Sequence, residues 1–299
     1  MCGIFGIVSD SSVSAKELRM LGCKAEQRGK DSSGLLLHGT EGYRLVRSNT
    51  SITSLLDGFD LGTPSFVMGH SRLITNGLAD NQPVMRDGVC VIHNGIVVND
   101  AEIWPEIGME RLQGVDTEVI AGIAARVLED GGTVEEISAR VLELCEGTVA
   151  TAVALPALGK LCLFSNNGSL FLGTRGGSTY FASEAFPLRQ LECTDIRQIR
   201  EGVVLDIPKD DAREVIERSP ERVRNLIPSL GTLAAEERLL ESREYELRRC
   251  TRCILPETMP YIQFDRDGVC NYCANYRPQG EPRPRAELEA ILAPYRRPQ

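Results

Sequence analysis

The sequence predicts an α+β fold in which two antiparallel sheets pack on each other with helices outside, followed by a small cysteine-bearing appendage. Two observations predict it. Short aliphatic and β-branched runs fall into an early and a late group with well-capped helical segments between them. After Pro208 the composition turns to charge, until four cysteines crowd together between residues 250 and 273.

Each element has a local reason. Ser14 to Glu17 fits a capping box, Leu18, Leu21 and Ala25 fall on one helical face, and Gly29 can close that helix in a left-handed conformation. The helix thus delivers Arg28-Gly29 into a loop. Strand-like runs follow at Gly34–His38, Tyr43–Arg47, Phe66–His70 and Val89–His93, separated by Gly, Asp and Asn. Asp116-Thr117 caps a second helix whose apolar positions Val119, Ile120, Ile123, Val127 and Leu128 keep helical spacing until Gly131-Gly132. Thr133 to Glu136 is another capping box and starts a third helix. Strands resume at Thr148–Leu155, Leu161–Ser165, Ser169–Gly173, Thr179–Ser183 and Gly202–Ile207. The expected organisation is a domain over 1–208, a charged helical linker over 209–249 with Leu233, Leu240 and Leu247 at helical spacing, a cysteine-bearing segment over 250–276, and a tail or linker over 277–299.

The bulk numbers exclude some classes. With 299 residues, 42% of them hydrophobic, the chain can bury one large core. No apolar run approaches the roughly 20 residues that span a bilayer, and the first residues lack the basic flank and apolar stretch of a signal peptide, so no membrane role and a cytoplasmic location are expected. A formal net charge of −9 argues against a nucleic-acid scaffold, although Arg283, Arg285, Arg296 and Arg297 make the tail locally basic. Of ten cysteines, Cys23, Cys90, Cys145, Cys162 and Cys193 lie scattered in apolar or helical contexts and are expected as core thiols. The other five carry the chemistry.

Cys2 is the first of these. Removal of Met1 leaves it as the true N-terminus, with a free α-amine beside its thiol. A thiol with an ordinary pKa near ~8.5 and an α-amine near ~7.7–8.0 combine nucleophile and base in one residue. Downstream come Gln27-Arg28-Gly29-Lys30-Asp31-Ser32-Ser33-Gly34, Gly69-His70-Ser71-Arg72-Leu73-Ile74-Thr75-Asn76-Gly77, Asn81-Gln82-Pro83, His93-Asn94-Gly95-Ile96 and Asp116-Thr117-Glu118. With the opening Met-Cys-Gly-Ile-Phe-Gly, these six blocks over roughly the first 208 residues resemble the class II glutamine amidotransferase domain, most nearly the glucosamine-6-phosphate synthase type. The resemblance implies an N-terminal nucleophile hydrolase fold of four αββα layers that hydrolyses glutamine to glutamate and ammonia. It also implies that Arg72 and Asp116 line the glutamine pocket, and Arg28, Thr75 and Asn76 are taken with them as candidate substrate-binding residues.

The same residues make chemical sense on their own. The Asn94 side-chain amide and the Gly95 N–H can supply two donors to the oxyanion of a tetrahedral intermediate. The Arg72 fork suits an α-carboxylate and Asp116 suits an α-ammonium. Asn94-Gly95 equally fits a hairpin turn and Asp116 a helix N-cap. Arg28 and Asp31 fit either loop-fixing ion pairs or contacts beside the site. His70 and His93 are expected to be structural, because the α-amine is the base in the family. Leu73 and Asn76 stand where the sugar-phosphate synthases carry Trp and His, and the phosphosugar isomerase half is absent from this sequence.

Cys250-x2-Cys253 and Cys270-x2-Cys273, sixteen residues apart, have the spacing of a four-thiolate zinc site. The segment resembles the zinc-ribbon head of N-acetyl sugar amidotransferases, which precedes an ATP pyrophosphatase domain. Neither that domain's Ser-Gly-Gly phosphate loop nor a Gly-x4-Gly-Lys-Ser/Thr loop occurs in this sequence. The leading expectation is therefore a glutaminase with structural zinc that feeds an ATP-pyrophosphatase-type amidotransferase domain or subunit. The alternatives are a stand-alone N-terminal nucleophile amidase acting on another amide, and a catalytically silent glutamine-sensing or docking module.

Overall fold

The computed structural model describes residues 2–40, 42–73, 80–208, 215–217, 248–277 and 284–295. Thr75, Asn76 and the stretch carrying Leu233, Leu240 and Leu247 lie outside the described residues. The chain divides into two compact units, Met1–Glu241 and Ser242–Gln299.

In the first unit the chain runs through β1 (Gly3–Ser9), α1 (Ala15–Glu26), β2 (Ser32–Gly39), β3 (Gly42–Ser48), α2 (Ile52–Gly58) and β4 (Phe66–Arg72). It continues through β5 (Val84–Arg86), β6 (Val89–His93), β7 (Ile96–Val97), α3 (Asp100–Glu106), α4 (Thr117–Glu129), α5 (Val134–Leu144) and β8 (Gly147–Thr148). The last elements are β9 (Ala150–Leu155), β10 (Lys160–Ser165), β11 (Phe171–Arg175), β12 (Ser178–Ala182), α6 (Ala185–Gln190), β13 (Thr194–Gln198), β14 (Val203–Asp206) and β15 (Val215–Glu217). One sheet has the order β13-β11-β12-β1-β4-β2-β3-β15 and the other β14-β10-β9-β6-β5, while β7 and β8 form a separate ribbon.

Two-residue periodicity builds the layers. On β1, Ile4 and Val8 enter the core between the sheets, whereas Phe5 and Ile7 enter a second core beneath α1 and α2. On β6, Cys90 and Ile92 face the first sheet, and Val89 and Val91 face α4 and α5 through Ile120, Ile123, Ile137 and Val141. Three apolar layers therefore separate four structural ones in the order αββα. Each fully buried Leu, Ile, Val or Phe contributes roughly 1.5–3 kcal/mol, so the strand ends that carry the polar blocks rest on a rigid base.

Four local expectations are corrected. Gly29 does not close α1 in a left-handed conformation, since the helix ends on Gln27 with right-handed backbone. A Cβ at Gly29 would lie 2.3 Å from the Leu73 nitrogen, so close approach to β4 is what excludes a side chain there. Cys23 is exposed and Cys193 only partly buried, while Cys90, Cys145 and Cys162 are buried as expected. The stretch expected as helical linker contributes β15, which pairs in parallel with β3.

The second unit is held by turns and single β-bridges between Arg249 and Pro256 and between Phe264 and Cys270, followed by α7 (Asn271–Asn275). In the segment expected as linker, a helix, α8, spans Arg285–Leu292. No helix among the described residues is long and apolar enough to cross a membrane.

Candidate active site and cysteine cluster

Strand register places Cys2. Gly3 of β1 lies opposite Ser71 of β4, so the next step brings Cys2 opposite Arg72, on the face that carries Ile4 into the inter-sheet layer. The Cys2 Sγ donates to the Leu73 carbonyl at 3.5 Å. Arg72 is 2% exposed, and its guanidinium donates to the Asp80 carbonyl. Asp116 is 5% exposed. Burial pushes the Cys2 thiol above its ordinary range, the charge of Arg72 pulls it back and Asp116 pushes it further up. Burial likewise lowers Arg72, opposed by the charges of Cys2 and then Asp116. Thiol, cation and anion thus share one electrostatic neighbourhood.

Asp116 is not the side-chain cap of α4. Its backbone is already right-handed helical, and its Oδ2 accepts instead from the Val97 N–H at 2.8 Å. That bond ties the anion to the segment that follows Asn94-Gly95. These two residues do not turn a hairpin, because β6 pairs with β5 and β9 while β7 pairs with β8. Asn94 is buried and its N–H donates to the Ala150 carbonyl at 2.8 Å. A Cβ on Gly95 would stand 1.8 Å from the Thr148 oxygen and 2.5 Å from the His93 Nε2. Gly95→Ala must displace backbone, so it is expected to lower stability by about 1–3 kcal/mol and to lower glutamate release beyond what the stability loss explains. Urea midpoints and initial rates on the same preparation check this.

A polar bracket joins the two sheets beside these residues. Asn81 Nδ2 donates to the carbonyls of Ser33 and Ser48 on the first sheet at 2.9 and 3.0 Å. The adjacent Gln82 Oε1 accepts from the His93 N–H of the second sheet at 2.6 Å. The Glu118 carboxylate, fully buried, pairs with Arg86 and accepts from the N–H groups of Leu112 and Gln113, fixing the loop before α4. The sequence blocks contain Ser33, Asn81, Gln82, His93 and Glu118, but nothing in their spacing discloses the bracket.

Arg28, expected among the substrate contacts, donates from Nε to the Cys2 carbonyl at 2.8 Å and pairs with Glu184. His70 and His93 are both buried, and burial holds both below the usual imidazole range. Both take up a proton less readily in the fold than in the unfolded chain. Stability is therefore full above the ordinary histidine pKa of about 6.5 and falls as pH drops through it, because the unfolded chain then binds more protons. Urea midpoints at pH 7.5 and pH 5.5 check the sign. A groove of about 660 Å³ lies on the outer helices, lined by Ile107, Arg126, Asp130, Glu136, Arg140 and Glu143, and shares no residue with the Cys2 neighbourhood.

In the second unit the thiol sulfurs of Cys250, Cys253, Cys270 and Cys273 all lie within 4.8 Å of one another. Cys250 and Cys273 are 3.9 Å apart, and Cys253 and Cys270 are 3.6 Å apart. Bonds of about 2.3 Å to a tetrahedral ion place thiolates about 3.8 Å apart, so the donor set and its geometry fit a metal. Burial works against ionisation of Cys250, but backbone N–H groups, Cys270 foremost, bring its thiol down to about 6.

Residues 70–190 match a family model described as a glutamine amidotransferase domain. The glutamine–fructose-6-phosphate aminotransferase [isomerizing] of Mesorhizobium japonicum is 32% identical over 203 residues, covering 63% of this chain and 32% of that protein. The same-named protein of Halalkalibacterium halodurans is 28% identical over 225 residues, 71% of this chain and 36% of the relative. The chain thus spans about a third of the length of the curated relatives it matches. Among solved structures, the glutamine phosphoribosylpyrophosphate amidotransferase of B. subtilis complexed with ADP and GMP superimposes with a TM-score of 0.54 at 20% identity, covering 70% of this chain and 50% of that one. A structure of the allosteric regulatory enzyme of purine biosynthesis gives 0.56 at 20% identity with the same coverage. These two likenesses establish the fold.

Proposed function

Because this chain carries a class II glutamine amidotransferase domain, we propose that it hydrolyses glutamine to glutamate and ammonia through a γ-glutamyl thioester on Cys2. With Met1 removed, the Cys2 α-amine takes the thiol proton as sulfur attacks the side-chain carboxamide carbon. The Asn94 amide and the Gly95 N–H hold the oxyanion of the tetrahedral intermediate. The carbon–nitrogen bond then breaks, the α-ammonium returns its proton to the leaving nitrogen, and ammonia departs. Water, deprotonated by the same amine, attacks the thioester and releases glutamate with the thiol restored.

The observation that carries this reading is the burial of one cation and one anion, Arg72 and Asp116, in the electrostatic neighbourhood of a single thiol. Glutamine is an amide that presents one carboxylate and one ammonium. A substrate lacking either charge forfeits a buried ionic contact, at a cost of about 2 kcal/mol or more. Glutamine blocked at its α-carboxylate and glutamine acetylated at its α-amine are each expected to be hydrolysed at least about 30-fold less efficiently. Equal turnover of either blocked compound favours a broader amidase and contradicts the assignment.

For the second unit the proposed ion is zinc, held by Cys250, Cys253, Cys270 and Cys273 in a structural role, since four thiolates leave no open position for substrate. The proposed partner is an ATP-pyrophosphatase-type amidotransferase domain or subunit that consumes the ammonia. All ten cysteines are free thiols, which suits a reducing compartment such as the cytoplasm.

A further inference from the structure

A terminal residue is poorly fixed by its own chain. With no preceding peptide, the orientation of Cys2 about its Cα–C bond depends on what holds its single carbonyl. Along β1 the backbone groups of alternate residues point to the same neighbour, and at Ile4 that neighbour is the strand β12 side. The Ile4 N–H donates to Ser183 Oγ at 2.9 Å, and the Ile4 carbonyl accepts from the Ser183 N–H at 2.9 Å. Two residues earlier, continuation of the same register would set the Cys2 carbonyl opposite Ala185, the first residue of α6. That strand has ended at Ala182, and Glu184 turns away as the N-terminal flank of α6. The vacant ladder position is filled by a side chain. Arg28 Nε donates to the Cys2 carbonyl at 2.8 Å while its Nη1 pairs with the Glu184 carboxylate. The Arg28 side chain is only 7% exposed, so its direction is set by packing and by that carboxylate.

We propose that Glu184 is a positioning residue that acts through Arg28 to lock the Cys2 peptide, and with it the angle between thiol and α-amine; the proposal rests on the glutaminase reading above. Glu184 reaches the site through Arg28, which holds the Cys2 carbonyl and is not one of the two charges, Arg72 and Asp116, proposed to hold the ends of glutamine. Its loss leaves Arg72 and Asp116 in place, so binding persists while attack is misaligned.

The test uses full-length protein with Met1 shown by intact mass to be absent. Glu184→Gln is expected to lower kcat for glutamate release by about 10- to 100-fold, the penalty of an ångström-scale misplacement, with KM for glutamine changed less than about threefold. Glu184→Asp is expected to recover part of the loss, and Arg28→Gln combined with Glu184→Gln to be no slower than Arg28→Gln alone. Melting temperatures of the variants are expected to fall by several degrees, because the buried Arg28–Glu184 pair is broken, but to stay well above the assay temperature, with the loss of kcat exceeding what the stability change explains. Alkylation of Cys2 by iodoacetamide across pH gives a second readout that needs no glutamine, and the Glu184→Gln rate is expected to fall at neutral pH. Unchanged kcat with unchanged alkylation, a change in KM alone, or activity that falls in step with melting temperature would each overturn the proposal. Wild-type protein that is alkylated at Cys2 but releases no glutamate contradicts the glutaminase reading instead, and the alkylation comparison still decides the role of Glu184.

Discussion

Cys2→Ala is expected to release glutamate from glutamine at least about 10⁴-fold more slowly than the wild-type chain, the usual consequence of removing a covalent nucleophile from a preorganised site. Binding should survive. Arg72 and Asp116 remain buried when Cys2 is truncated, so titration calorimetry is expected to give a glutamine dissociation constant within about threefold of wild type, since both charges proposed to meet glutamine are kept. Protein that keeps Met1 should fail in the same way as the alanine variant, because the lone pair of an acylated nitrogen is delocalised into the carbonyl and is not basic enough to take the thiol proton. A variant that loses binding together with turnover would place Cys2 in the recognition of glutamine rather than in the chemistry.

Removing the proposed zinc from the second unit is the other large expected effect. The described part of this unit has single β-bridges, the short helix α7 and the helix α8, which buries none of its residues, in place of a packed core, so a bound metal is expected to supply most of the folding energy of residues 250–273. Structural zinc contributes about 10–16 kcal/mol in isolated zinc-finger peptides at neutral pH. Chelation is therefore expected to unfold residues 250–273, seen as complete amide hydrogen exchange in peptides that are protected before treatment. Elemental analysis should give one zinc per chain, and Cys250→Ser should lose it. Cys250 is the informative position because its sulfur accepts from the N–H groups of both Arg252 and Cys270, at 3.4 and 3.2 Å.

What was legible in the sequence was mostly local. The helices α4 and α5 follow from periodicity and from Thr133-Glu136, whose capping bond forms at 2.7 Å. The cysteine cluster follows from spacing alone. Errors arose where a residue answers to a distant partner. Gly29 is glycine because β4 passes against it, and Asp116 gives up the helix cap for Val97. The strand β15 is three residues in a charged stretch, paired to β3 from the start of the chain, and no local pattern announces it. Glu184 follows a strand without any motif. Cys23 was readable, since it stands two residues past Leu21, about 200° around the helix from that buried face, which is where an exposed side chain belongs.

The most direct measurement is the intact mass of the wild-type protein quenched in acid during glutamine turnover. The account predicts a chain without Met1 that carries one additional γ-glutamyl group, located at Cys2 by fragmentation and absent after hydroxylamine treatment. Steady glutamate release with the adduct on another residue, or by a chain that retains Met1, would contradict it.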